Sequence, residues 1–357
     1  MTPRSPGRSA GLAVSLMLVI STCQGSPTGP TARPQPSSVS SQVSTPVPST
    51  PSALPPVGRL VFDRFDSNHD NAWLGTFAIG AGSGGARRLP IPVPADGGVS
   101  AVWSPDGQRV MLNPSGGAAI MDAAGSSFTR VHAKGTAGDL SCSAWSPDGL
   151  SLLCNLGSPD PATDGIYSVR TDGTHLIRLT VSPYHEVVGT AGDCGGGDSR
   201  AVFSPDGKEF AFIRQKCGTG ADPGFDETGA ILIEHIDGTG LREVVPQGGV
   251  RTHEGSTLSW SPDGSWIAFG TQDQYLRLVH PDGTGLVKPL VDAGTAPIGG
   301  IFGPSWSPDG KWIVFGTINQ GVAGSLYMVM PDGSNLTKVQ GDTTGAAFVN
   351  WGRAPSP

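Results

Sequence analysis

From residue 58 onward, apolar residues come in short runs, each cut off by glycine, proline or aspartate. Val110–Leu112, Leu152–Leu153, Phe210–Ile213, Trp266–Phe269 and Trp312–Phe315 have strand length, not helix length, and are bounded by turn signals. Each follows one pentapeptide. Trp103-Ser104-Pro105-Asp106-Gly107 returns as Trp145–Gly149, Phe203–Gly207, Trp260–Gly264 and Trp306–Gly310. Proline presets φ, aspartate favours a turn and glycine accepts positive φ, so the pentapeptide closes a tight hairpin. A third run follows, at Ile166–Val169, Ile231–Ile233, Leu276–Val279 and Leu326–Met330. A second turn comes at Asp172-Gly173, Asp237-Gly238, Asp282-Gly283 and Asp332-Gly333, and then a fourth run such as Leu176–Leu179 or Leu241–Val244. The repeating unit has four strands.

The pentapeptides lie 42, 58, 57 and 46 residues apart, and Trp351 starts a sixth unit 45 residues further on. Strand-bearing repeats of this period predict a propeller. Arg59–Phe62, Ala72–Ile79 and Ala86–Ile91 supply a second, third and fourth strand without a first, and Ala347–Trp351 supplies a first strand with nothing after it. Joined, they close the ring and remove its free sheet edges. The expected fold is all-β: one six-bladed β-propeller of four-stranded antiparallel blades over residues 58–353, with a tail at 354–357. A closed ring needs no second copy to cover its edges, which points to a monomer.

The Trp-Ser-Pro-Asp-Gly hairpin, the apolar strand after it and the later Asp-Gly resemble the TolB-type, WD-like propeller repeat. The resemblance covers residues 58–353 and implies the propeller fold. TolB carries an α/β domain ahead of its propeller, where this chain has a spacer, so the resemblance does not imply the Tol–Pal role.

Composition agrees. Glycine and proline make up 85 of 357 residues, about twice the usual share of ~12%, which excludes a coiled coil or long-helix protein. Without Arg4 and Arg8 the chain carries 21 Lys+Arg against 30 Asp+Glu, a net charge of −9. Nucleic acid, which needs the opposite sign, is not an expected partner.

Arg4 and Arg8 precede an apolar run, Ala10–Ile20, and then Ser21-Thr22-Cys23. The order reads as an export signal over residues 1–22, whose apolar run of about 11 residues is too short for a spanning helix of ~20. Ile20–Cys23 resembles the bacterial lipobox, which implies lipidation of Cys23 and a membrane-anchored lipoprotein facing the periplasm or exterior. Thr22 departs from the small residue usual there, and plain secretion remains the alternative. Residues 24–57 hold nine Pro, eight Ser and four Thr, with Arg33 the one charge. Such a segment cannot offset its ordering entropy, so 23–57 is expected to be a disordered tether, reaching up to ~100 Å at ~3.1 Å per residue.

Four cysteines remain. Cys142 and Cys154 lie six residues either side of Asp148, and Cys194 and Cys217 lie 12 and 11 residues either side of Asp206. The symmetry favours disulfides 142–154 and 194–217 in an oxidising compartment, with buried thiols as the alternative.

The repeated aspartates and tryptophans belong to turn geometry and blade packing. Chemistry is expected on the face shared by loops that lead into first strands and loops that leave second strands. The long pieces there are Arg64–Asn71, Ser182–Arg200, Gln215–Thr228 and Pro246–Thr257. On this face His185-Glu186 and His253-Glu254 form two His-Glu pairs, suited to a divalent metal or acid–base work, or simply solvated. Asp66, Asn68 and Asp70 alternate as in a calcium loop but lack its glycine and final glutamate, which leaves a polar turn as the alternative. Gly135–Asp139 is duplicated as Gly189–Asp193, placing Asp139 and Asp193 before neighbouring first strands. Asp198 and Arg200 complete the binding-face candidates.

No Gly-x-Ser-x-Gly elbow follows the propeller, and no phosphate-cradling glycine loop precedes a helix. The reading that needs least is a binding or scaffold module for a protein or envelope polysaccharide, with no catalytic residue and no cofactor beyond a candidate Ca²⁺ or other divalent ion. The alternative is a metal-dependent extracellular carbohydrate-active enzyme, a lyase or hydrolase with its site at the channel mouth. A distant resemblance to oligogalacturonate lyase implies His185 and His253 around a metal, with Glu186 or Glu254 as base. A rigid spacer without a ligand is the third reading.

Overall fold

The computed structural model describes residues 58–65, 72–79, 87–89, 100–136, 138–157, 163–183, 197–216, 228–251, 257–271, 275–286, 290–291, 300–319 and 322–353. The expected signal, Cys23, tether and tail lie outside these residues. The described residues form six antiparallel sheets and no α-helix. Strands β1 (Gly58–Phe65), β2 (Ala72–Ile79) and β3 (Arg87–Arg88) open the chain. The first blade is β4 (Ala101–Trp103), β5 (Arg109–Leu112), β6 (Ala119–Asp122) and β7 (Phe128–Arg130). The second is β8 (Asp139–Trp145), β9 (Ser151–Gly157), β10 (Ile166–Arg170) and β11 (Ile177–Arg178). The third is β12 (Gly197–Phe203), β13 (Glu209–Gln215), β14 (Thr228–His235) and β15 (Arg242–Arg251). In the fourth, β16 (Ser259–Trp260), β17 (Ile267–Gly270) and β18 (Leu276–Val279) form the sheet, and a bridge from Leu276 to Val291 marks its outer edge. The fifth is β19 (Gly300–Trp306), β20 (Ile313–Asn319), β21 (Val322–Val329) and β22 (Thr337–Lys338). Finally β23 (Ala346–Arg353) pairs with β1 and completes the closing blade, in the order β23-β1-β2-β3.

First strands of successive blades touch all the way round, from β4 through β8, β12, β16 and β19 to β23 and back to β4. The fold is therefore the expected six-bladed propeller, with five blades of four strands and one of three plus a bridge. Its core is divided among the seams. Alternate residues of a strand face opposite neighbours. Leu60 and Phe62 pack with Trp312, Val314 and Leu326 of the fifth blade, while Val61 packs with Trp103, Val110 and Leu112 of the first. Six such clusters fill the six seams. Phe62, Phe210, Phe212, Phe269 and Phe315 are fully buried in them, each contributing about 1.5–3 kcal/mol.

One part of the expected loop face is strand. Pro246–Arg251, expected in a loop, continues β15, because bulges opposite Gly229–Ile231 take up the irregular backbone and bury both Val245 and Val250. Pro246 is tolerated there because β15 is an outer strand whose N–H side needs no partner. Asp198 and Arg200 likewise fall within β12.

Candidate functional site

The two faces of the ring differ in how their polar groups are used. On the turn face the Ser of each pentapeptide bonds to the Asp two residues on, with Oγ to Oδ1 at 2.5–2.7 Å. The same Oγ accepts the N–H five residues on, as from Arg109 at 2.9 Å, and the Asp Oδ1 accepts the N–H two residues on, as from Gln108 at 3.0 Å. The serine hydroxyls hold Asp106, Asp148, Asp206 and Asp263 below the usual carboxylate range. The second turns use Asp172, Asp237, Asp282 and Asp332, each accepting the N–H and O–H of the Thr or Ser two residues on. These carboxylates are committed to the backbone. A cleft on this face, lined by Arg242, Ser265, His280 and Asp282, is also occupied by internal bonds. Arg242 forks onto Glu209 at 2.7 and 3.1 Å and donates to the Pro281 carbonyl, while His280 stacks on Trp266.

The opposite face has a charged floor between the second and third blades. Asp198, fully buried, receives Arg214 in a two-pronged ion pair at 2.6 and 2.7 Å. Asn155 donates to the Asp198 carbonyl at 2.6 Å, tying β9 to β12 across the seam. Arg214 also stacks on Phe212. Burial pushes the Glu234 carboxyl up, with Arg214 opposing that shift and Asp198 adding to it. A side chain at Gly197, where φ is 144°, would come within 2.8 Å of the Asp164 carboxylate, so only glycine lets β12 start there. Arg178 donates to the Asp164 and Thr180 carbonyls. Arg200 sits at φ 57°, inside the bulge between Ser199 and Val202. A bulge with left-handed backbone re-aims a side chain, at a cost the surrounding sheet must hold. Asp139 opens β8 with its side chain exposed.

The structure thus brings Asp198 and Arg200 together in β12 and places Asp139 on the neighbouring first strand. Asp198 faces inward and acts by holding Arg214. His185, Glu186, Asp193, His253, Glu254, Asp66, Asn68 and Asp70 lie outside the described residues, as do Cys194 and Cys217. Among the described residues no three His, Cys, Asp or Glu side chains converge as a metal would require. Cys142 and Cys154 face each other across β8 and β9 and are joined as expected, with S–S at 2.01 Å. Arg214 and Asn155 were not among the sequence candidates. Asn155 had a signal, since Asn113 stands the same ten residues beyond its tryptophan.

The fold has known counterparts. A family profile described as WD domain, G-beta repeat matches residues 246–280, in the region of the fourth blade. No curated protein matches the chain by sequence. TolB from Acinetobacter baumannii superimposes with a TM-score of 0.59 at 17% identity, over 82% of this chain and 66% of that one. The chain thus spans just under two thirds of that protein. A putative TolB from Agrobacterium tumefaciens gives 0.56 at 18% identity, over 84% of this chain and 99% of that one. A chain of a nidogen/laminin complex gives 0.58 at 12%, over 84% and 100%. At these identities the likeness is one of fold: a TolB-like, WD-type propeller.

Proposed function

We propose that this TolB-like propeller is an exported binding module, monomeric, that docks a protein or polysaccharide of the cell envelope on its loop face. A lipid on Cys23 anchors it, and residues 23–57 hold it clear of the membrane. The observation that carries the reading is the contrast between faces. On the turn face each repeated carboxylate is spent on its own hairpin, whereas the loop face varies from blade to blade over a rigid ion-paired floor at Asp198–Arg214. A rigid scaffold carrying irregular loops is the arrangement of a recognition surface. The Cys142–Cys154 disulfide supports an oxidising compartment. A similar propeller in a nidogen/laminin complex supports protein docking as a use of this fold.

The test uses the full chain and a variant with residues 184–196 and 217–227 replaced by glycine and serine, matched by melting temperature. Each is incubated with solubilised native envelope and the retained material identified. A component held at near-equal stoichiometry by the native chain and lost from the variant is the expected result. No component held by either would overturn docking. A stoichiometric metal lost on His253→Ala would favour the enzyme reading instead.

A further inference from the structure

The closing blade carries a fully buried acid with half of its bonding capacity unused. Asp63 of β1 is 0% exposed. Its Oδ1 accepts the N–H of Phe348 on β23 at 2.6 Å, at the bulge between Phe62 and Arg64. Its Oδ2, equally buried, has no partner among the described residues. No charged group of the described residues is among the influences on this carboxyl, which are burial and backbone N–H groups. From β23 comes the Phe348 backbone, β2 places Leu74 opposite, and β4 brings Ala101 and Trp103 to this seam. Arg64, the next residue along, is engaged with Asp342 at 2.8 Å. Burial is the dominant influence and pushes the Asp63 carboxyl up to about 8, with the backbone N–H groups offsetting only part of it.

The same place in two other blades shows what the position demands. Leu60, Val110 and Leu152 pair with the inner-strand tryptophans Trp351, Trp103 and Trp145. Three residues beyond them stand Asp63, Asn113 and Asn155. Asn113 reaches the next blade, accepting the Cys142 N–H at 2.8 Å and donating to the Cys142 carbonyl at 2.7 Å. Asn155 donates to the Asp198 carbonyl of its next blade. Both are neutral amides with one donor side and one acceptor side. A protonated carboxyl has the same shape and the same two capacities, and a carboxylate has acceptors alone. An ionised, unpaired carboxylate in such a seam is the costlier state.

We propose that closure of the ring is proton-linked: Asp63 is neutral in the closed ring, and loss of its proton loosens the pairing of β1 with β23. The folded state then holds a proton that the unfolded chain releases. Stability from this group is full below the usual carboxylate value near ~4 and falls as pH rises to about 8.

Urea unfolding of the full chain across this range reads the effect. The unfolding constant is expected to rise by up to about tenfold per pH unit over that window, with β1 and β23 amides losing exchange protection first. Asp63→Asn should remove most of the slope and stay at least as stable as the native chain at neutral pH. Asp342→Asn, which removes an exposed carboxylate from the same junction, should leave the slope in place. If Asp63→Asn does not fold, infrared spectra decide, taken in a Glu234→Gln background because burial pushes that carboxyl up too. A protonated carboxyl band present near neutrality and lost in mild alkali is expected. Absence of that band at neutral pH, or an unchanged slope in Asp63→Asn, overturns the proposal.

Discussion

One turn position shows how a single backbone angle selects a residue. In the hairpin between third and fourth strands, the residue three beyond the Asp is left-handed in four blades. Gly240, Gly285, Asn335 and His175 stand there at φ 71°, 66°, 58° and 55°. Left-handed backbone is free for glycine, tolerable for asparagine and costs other residues about 1–2 kcal/mol. His175→Gly is therefore expected to raise stability by up to about 1 kcal/mol, read as a higher urea midpoint. Gly285→Ala should do the reverse, because a Cβ there would lie 2.3 Å from the His280 ring that stacks on Trp266. An unchanged midpoint in both would show that the turn relaxes freely. The repeated Asp-Gly was legible in the sequence because turn chemistry is local. The left-handed slot after it was not, since histidine, asparagine and glycine share no pattern until the backbone shows their common angle.

Seams between blades are closed by side chains that reach from one first strand to the next. Trp145 donates its indole N–H to the Val102 carbonyl at 3.0 Å, and Trp306 donates to the Ser259 carbonyl at 3.2 Å. Ser259, Ser305 and Asn350 stand one residue before their blade's tryptophan, and each accepts the backbone N–H of the next blade's tryptophan. Trp260 instead bonds its own turn, at the Gly264 carbonyl. The indoles of Trp103 and Trp351 are buried with no partner for their N–H among the described residues. Trp306→Phe loses a hydrogen bond that Trp103→Phe does not, so the first should cost about 1 kcal/mol more than the second, a difference read by parallel denaturation curves. Equal losses would mean that ring volume alone matters at these positions. The strands and their order could be read from apolar runs and turn signals. The crossings could not, because Asn113 and Asn155 find partners 29 and 43 residues away, and the Asp198–Arg214 pair needs the β12–β13 register to be known. The strand through Pro246–Arg251 was hidden for a related reason: a proline and two glycines read as loop until bulges absorb them.

For the molecule as a whole, two sets of carboxyl groups act in opposite directions with pH. Asp106, Asp148, Asp206 and Asp263 are held low by serine hydroxyls, and Asp172, Asp237, Asp282 and Asp332 by the Thr or Ser of their turns. A lowered group stabilises fully above the usual value near ~4, and its contribution is lost as pH falls below it. Asp63 contributes fully below that value and is lost as pH rises to about 8. The melting temperature should therefore peak on the acid side of neutrality, near about pH 4–5. Asp63→Asn should move the peak towards neutral pH. A native maximum in mild alkali would contradict the sign given for Asp63.

The ring is shut by β23, residues 346–353, on β1, residues 58–65, so the first strand waits for nearly the last one. During synthesis, five blades can form while one edge of β1 stays bare. That edge is open to any passing strand, including that of a sister chain. Order of emergence thus becomes a hazard that the fold itself creates. A chain cut just before Ala346 would have five blades made and the circle still open.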